Sequence, residues 1–418
     1  MVKLREGIHL HILPTKKFKT ISIQFRFKTL LQEKKVTKRA LLANIMDINS
    51  EHYPTQIDFR RRLGELYGAN FFTDVTRYGK YHVLSLNMEC VDEKIINETG
   101  IFDEVMKFLY QVIFFPNVFN GCFHETTFFR EVDKLRDEFA SRYDDKTIYA
   151  EDKLNNLYFD TREQQLTSYG QESDLKDITP ASLFDTYLEM LNEDQLDIYV
   201  VGNVTETSVL RTLHPFDFEP RAVRSENPFY ENKEKKPVAQ KVEMQEINQT
   251  ILTMGLKTPI YYHAEYYYAG LIFNGLFGAM PHSKLFQIVR EKENLAYSIS
   301  SEVDVYRGLL SIYAGIESEE VANTQSIILK QLEEMKNGSF SEKEVELTKE
   351  VIKNELFQID DTSYSMVERA YSLALIGQEH LSLDEWVDKL DSVSKEEIID
   401  LARLIELKAT YILIGENK

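Results

Sequence analysis

The opening fifteen residues, MVKLREGIHLHILPT, alternate apolar and polar side chains over a short run. A period of two predicts a half-buried strand. His9 and His11 fall on one face of it. From Arg39 the period lengthens. Leu41, Leu42, Ile45 and Met46 form one apolar side of a helix running to Ile48. Ala40, Ala43, Asn44 and Asp47, at i, i+3, i+4 and i+7, line another side of it. Tyr53-Pro54 follows, and proline disfavours helical geometry at the residue before it. Glu51 and His52 therefore belong to the loop after this helix.

The patterns recur later in the chain. TISIQFRFKT (20–29) resembles QTILTMGLKT (249–258), with Lys28-Thr29 over Lys257-Thr258. RYGKYHVLSLNMECVDE matches VYRGLLSIYAGIESE, which sets Gly79 over Gly308. NGCFHE (120–125) meets NGSFSE (337–342), Asp144-Asp145 meets Asp360-Asp361, and LDIYVVGNV (196–204) meets ATYILIGEN (409–417). The offset drops most between Asp92 and Asn120, so the first half carries extra residues there. Five matches in one order predict two homologous α+β domains. Each runs strand, strand, helix, helix, two strands, several helices and a last strand. Thr179 and Ser394 are expected N-caps, and Glu397 completes a capping box with Ser394. Residues 214–241 are rich in proline and charge, a linker composition. The expected domains are thus 1–213 and 242–418.

Composition narrows the functions open to such a chain. Of 418 residues, 49 are Lys or Arg and 68 Asp or Glu, a net charge of -19. A nucleic-acid binder needs a basic face to displace counterions, so that class is excluded. An acidic surface fits solubility, or attraction of basic peptides. No run approaches the length of a membrane span, and no signal peptide is expected at the start. Cys90 and Cys122 are the only cysteines, which leaves no disulfide framework and no CxxC metal knuckle. A cytoplasmic location is expected.

The chemistry-bearing residues are sparse. In an H-x-x-E-H zinc peptidase, positions i and i+4 bind the metal and i+3 is the base that takes a proton from the bound water. If Glu51-His52 ended such a motif, Ile48 would stand where the first histidine belongs, and one imidazole does not hold zinc. In the other register the motif positions are Ala40, Ala43 and Asn44. Further on, FFREVDKLRDEFASRYDDK places Glu131 and Glu138 seven residues apart, on one helical stripe with Leu135. They are either inward-facing carboxylates or ordinary acids on a solvated face. His9 and His11 form a two-point edge more usual in structural roles. His124-Glu125 starts a helix, where an acid suits the dipole. His282 lies in a turn-like Pro281-His282-Ser283, and Asn274, Gly275 and Gly278 read as a bend or close packing point. No serine elbow, P-loop or GxGxxG is present.

RALLANIMDINSEHYPT resembles the active-site helix and following Tyr-Pro loop of the insulinase/pitrilysin family, the H-x-x-E-H zinc metallopeptidases. EYYYAGLIFNGLFGAMPHSKLFQIVREKENLAYSISS (265–301) resembles the matching region of the second domain, and the likeness extends over most of both halves. The chain resembles in particular a YmfF-type branch that lacks the zinc motif. The resemblance implies that Ala40, Ala43 and Asn44 replace histidine, glutamate and histidine, and that Glu131 and Glu138 fall where the remaining carboxylates of the metal site stand. It implies an empty metal site, with Asn44 near Glu138. It also places Arg290 and Tyr297 where the family has an arginine and a tyrosine that reach a metal site and contact substrate. A tyrosine hydroxyl can donate to an oxyanion, and an arginine can hold a carbonyl or carboxylate with paired hydrogen bonds.

Family members of this length form one half of a clamshell around a chamber, each domain a mostly antiparallel sheet packed with helices. The expectation is therefore a non-catalytic subunit of a heterodimeric zinc peptidase. No cofactor is expected in this chain, and zinc only in a homologous H-x-x-E-H-bearing partner, with a possible homodimer besides. The substrate would be a peptide, added as a strand near Gly68 to Thr73. The other reading is a scaffolding protein with the peptidase fold and no part in hydrolysis, as in the core subunits of the mitochondrial cytochrome bc complex, which resemble the same family.

Overall fold

The strand β3 (Thr20–Leu30) shows how the first sheet is built. Ile21, Ile23, Phe25 and Phe27 point to one face and join a large apolar core. Ser22, Gln24, Arg26 and Lys28 point to the other. Even so, Gln24 and Arg26 are fully buried, because both faces of the sheet are covered. The computed structural model describes residues 1–223, 226–231 and 237–415. The expected linker lies partly outside that range, as do the last two residues of the 409–417 match.

The first sheet contains β1 (Val2–Arg5), β2 (Ile8–Pro14), β3, β4 (Asn70–Tyr78), β5 (Tyr81–Val91) and β8 (Gln195–Gly202), in the order β1-β2-β8-β3-β5-β4. A separate two-stranded hairpin pairs β6 (Val118–Phe119) with β7 (Cys122–Phe123). The second sheet contains β9 (Ala239–Gln245), β10 (Thr250–Lys257), β11 (Ala296–Asp304), β12 (Leu309–Ile316) and β13 (Glu406–Gly415), in the order β11-β12-β10-β13-β9. Read from the other end, this repeats the first order from β2 onward. In each sheet one pair is parallel, β2 with β8 and β9 with β13, and the rest are antiparallel.

Helices α1 (Glu33–Met46), α3 (Ile101–Phe114) and the helix Pro180–Glu193 bury apolar stripes against the first sheet. Thr179 caps the last of these, accepting from the Ser182 amide, and Ser394 caps Lys395–Arg403 in a box with Glu397. Helix α2 (Gln56–Glu65) starts at the Thr55 cap, directly after Pro54.

The two compact units do not divide at a single point in the chain. One comprises residues 1–140, 166–228 and 360–372; the other comprises 141–165, 229–359 and 373–418. Two contiguous domains meeting at a linker are therefore not what forms. The cause is packing on the second face of each sheet. Helix α5 (Lys146–Tyr158), from the first half, lays Tyr149, Ala150, Leu154 and Tyr158 against Ile251, Leu309, Ala409, Tyr411 and Leu413. Gly255 leaves room for it: a Cβ there would stand 2.8 Å from Tyr158 Cδ2. Conversely, the segment 360–372, which begins the helix Ser363–Leu375, packs with the first sheet.

Candidate functional site

Helix α1 is pinned by the residue just before its first motif position. Arg39 is buried, donates Nη2 to the Phe27 carbonyl at 2.8 Å and Nε to His82 Nδ1 at 2.9 Å, and pairs with buried Asp194. His82 completes the arrangement by donating Nε2–H to the Ser168 carbonyl at 2.8 Å. Burial raises the Asp194 carboxyl against the opposing pull of Arg39. With each nitrogen of the Arg39 guanidinium engaged, the rotation of α1 is fixed. Ala40 and Ala43 are each 2% exposed, and Asn44 is half-buried. The Ala43 carbonyl accepts from Thr73 Oγ1 at 2.7 Å, so α1 lies against the edge strand β4.

Beyond α1 the chain turns, and Glu51-His52 lies in the loop, with the His52 ring edge-on to Phe115. It does not face a second imidazole. Helix α4 (Glu125–Asp144) carries the two glutamates. Its start is tied to the residues after α1 by Asn49 Nδ2, which donates to Thr127 Oγ1 at 3.2 Å. Only Phe128, Glu131, Val132 and Leu135 of α4 are buried. Glu131 turns inward: one oxygen accepts from Arg130 Nε at 3.0 Å and the other has no hydrogen-bond partner. Glu138 is solvated and 3.7 Å from Lys134. No hydrogen bond joins it to Asn44, whose Nδ2 is buried without a partner. The carboxylate kept inside is thus Glu131.

Asp47 is a further member that sequence pattern alone did not mark for chemistry. One oxygen is buried and unpartnered, and the other pairs with Arg60 at 2.9 Å. Burial raises its pKa, while the nearby Arg60 and Lys134 oppose that rise. At positions 40 and 43 the helix offers methyl groups that belong to the apolar core, not ligands. Zinc, which the H-x-x-E-H class requires, does not fit here. Alanine supplies no donor, an amide oxygen is a weak zinc ligand, and the remaining carboxylate already faces a guanidinium. Among the described residues no three His, Cys, Asp or Glu side chains stand together as a metal site.

The second unit carries the other expected residues. After Asn274 the helix Tyr267–Asn274 widens into π-helical turns over Gly275–Ala279, and a second π-helical segment, Leu285–Lys292, bears Arg290. Asn274 Oδ1 accepts from Ser301 Oγ at 2.7 Å, which ties this bend to β11. The Arg290 guanidinium sits 4.7 Å from the Phe286 ring centre and 3.6 Å from Glu291. Tyr297 lies on β11, an edge strand, where the pairing with β12 shifts between Ala296 and Ser298. It is therefore the extra residue of a β-bulge, a device that re-aims a side chain. Its ring is 63% exposed, and its hydroxyl donates to Glu317. That carboxylate raises the phenol pKa, so the hydroxyl keeps its proton. The bulge has no sequence signature; only the ladder register reveals it.

His9 and His11, on β2, both approach one oxygen of Asp197, at 3.5 and 3.1 Å, and His11 stacks on Tyr199 at 4.3 Å. Their partner lies on β8, a long way along the chain. They form a structural cluster rather than a metal edge. His282 pairs with Thr348 Oγ1 at 2.8 Å.

Residues 177–352 match the family model described as the peptidase M16 inactive domain. The probable inactive metalloprotease YmfF of Bacillus subtilis is 33% identical over 411 residues, covering 98% of this chain and 96% of that protein. The chain belongs to the M16 peptidase family. Within that family it is an inactive homologue. A second B. subtilis relative, the uncharacterized zinc protease YmxG, is 25% identical over 291 residues, 68% of this chain and 69% of its own. A conserved protein of Enterococcus faecalis superposes with a TM-score of 0.95 at 36% identity, over 100% of this chain and 98% of that one.

Proposed function

We propose that this chain is the non-catalytic subunit of a heterodimeric zinc peptidase. Its partner would be an M16 homologue with an intact H-x-x-E-H, which brings the metal chemistry. This chain would bring half of the chamber wall, together with Arg290 and Tyr297 as substrate contacts in trans, and act on peptides in the cytoplasm. The observation that carries the reading is the bulge at Tyr297. An exposed tyrosine, displaced from the ladder on an edge strand and donating its one hydroxyl proton to Glu317, has the form of a donor that a substrate oxygen would take over from that carboxylate. Arg290 is also accessible, its side chain 42% exposed, and a guanidinium can hold a carboxylate or carbonyl. The edge position of β4 supports a peptide adding as a strand next to α1. Among the described residues no helix is long and apolar enough to cross a membrane.

The test is reconstitution with the co-purifying M16 partner. Peptide cleavage should need both chains, and Tyr297→Phe should lower kcat by about 10²-fold with little change in KM, as for loss of one oxyanion donor. Cleavage by this chain alone would refute the reading. The competing role is scaffolding. It is favoured by the local contacts of Arg290 with Phe286 and Glu291. On that account, replacing both Arg290 and Tyr297 leaves the activity of the pair unchanged.

A further inference from the structure

One stripe of helix α3 lines a cavity. Asp103, Met106, Lys107, Tyr110 and Gln111 recur at i, i+3, i+4, i+7 and i+8, and together they floor a space of about 570 Å³. The end of the helix Glu206–Leu213 and the turn after it form the wall, with Arg211 and Phe216, and the loop after α1 adds His52. That volume suits a small molecule. Four rings follow one another through the lining, edge to face: His52 on Phe115 at 5.1 Å, Phe115 on Tyr110 at 5.6 Å and Tyr110 on Phe216 at 5.4 Å. A flat apolar ligand packs against rings by the same geometry.

The polar groups of the lining are mostly donors. The Tyr53 hydroxyl donates to Gln111 Oε1 at 2.8 Å, which orients the amide; among the described residues nothing accepts from its NH2 group. Lys107, one turn before Gln111, has Glu104 at 3.9 Å, and Arg62 already holds that carboxylate. Asp103, the carboxylate of the lining, is taken by Arg211 at 2.7 Å. Two cations and one anion therefore line this cavity, on a chain whose net charge is -19. The charge left over is positive, and it belongs to Lys107.

We propose that this cavity binds a small aromatic carboxylate, its ring among Tyr110, Phe115 and Phe216 and its oxygens shared between Lys107 and the Gln111 amide. Residues four apart on a helix are neighbours, so one carboxylate spans the pair. Donors to an ionised acceptor make the stronger kind of hydrogen bond. A neutral ligand gains nothing from Lys107, and a cation meets two like charges with the carboxylate already engaged. The site uses neither Arg290 nor Tyr297, so it stands whichever part the chain plays in hydrolysis.

Calorimetric titration of the full chain with naphthoate, its methyl ester and naphthylmethylammonium tests this. One naphthoate should bind per chain, about tenfold or more tighter than the ester, with the ammonium weakest. Lys107→Met keeps the stem and removes the charge. Gln111→Glu keeps the acceptor that Tyr53 uses and replaces the NH2 by an oxygen that repels the ligand. Each should weaken naphthoate by about fivefold or more and leave the ester unchanged. Lys107 is 62% exposed, so its replacement should not move the circular dichroism or the melting temperature. Equal affinity for the three probes, as in a groove that takes a partner protein's aromatic side chain, overturns the proposal. So does an absence of binding, or a naphthoate affinity indifferent to both substitutions.

Discussion

The Arg26 guanidinium lies 4.6 Å from the centre of the Tyr371 ring, and Tyr371 belongs to a segment more than three hundred residues further on. Arg26 is 1% exposed, donates to Gln24 Oε1 and the Tyr78 hydroxyl, and pairs with Glu368. Removing it leaves a largely covered carboxylate with the Tyr78 hydroxyl as a remaining partner. Arg26→Met, which keeps the stem volume, should cost roughly 2–4 kcal/mol, toward the low end because Glu368 retains some solvent. Urea denaturation measures it. A loss below about 0.5 kcal/mol would mean that this contact does not hold the segment to the sheet.

His82 makes the stability pH-dependent. It is fully enclosed, and burial, reinforced by the Arg39 charge, lowers its pKa from 6.5 to about 3. The folded state therefore binds fewer protons than the unfolded state between those values. Stability should be complete above about pH 6.5 and fall as the pH drops toward 3. A His82→Gln variant should show a shallower acid decline across that window. Parallel profiles for the two proteins would contradict the buried neutral imidazole.

Glu131 is a cost rather than a support. Its inner oxygen has no partner and its outer one meets a half-exposed arginine. Glu131→Met should be neutral or stabilising, by up to about 1 kcal/mol, as for other buried charges replaced by apolar groups of similar size. Thermal melting with and without added zinc, on both proteins, checks two points at once. The variant should melt no lower, and zinc should shift neither curve. A clear zinc-induced rise in the parent protein would show that the methyl-lined helix face binds metal after all.

Gly255 tests how α5 is seated. The Tyr158 ring is fully buried and its hydroxyl donates to the Gly308 carbonyl at 2.8 Å, so the ring cannot retreat. Gly255→Ala should cost about 1–3 kcal/mol through overpacking. Pairing it with Tyr158→Leu should recover part of that loss, a coupling that a double-mutant cycle measures. Strict additivity would show that the two do not meet.

What could be read from the sequence was local or periodic. Ser394 and Glu397 sit three residues apart, so their cap was legible, as was the loop that Pro54 imposes after α1. Read from its other end, the strand order of the second sheet repeats that of the first from β2 onward. What escaped depends on distant partners. Asp197 holds His9 and His11 from another strand, and Asp194 fixes Arg39 from far along the chain. Glu131 and Glu138 share a stripe, yet only the first is enclosed, since α4 has no buried residue after Leu135. The bulge at Tyr297 is a property of register, to which composition is blind. Nor can an amphipathic helix announce which sheet it will cover.

That last point bears on how the protein is made. The first unit needs residues 360–372, which leave the ribosome when most of the chain has been synthesised. Until then its sheet carries an unfilled face with Arg26 at the centre. The N-terminal unit therefore cannot be finished before the C-terminal one is well advanced, and the usual order of domain-by-domain maturation during translation does not apply.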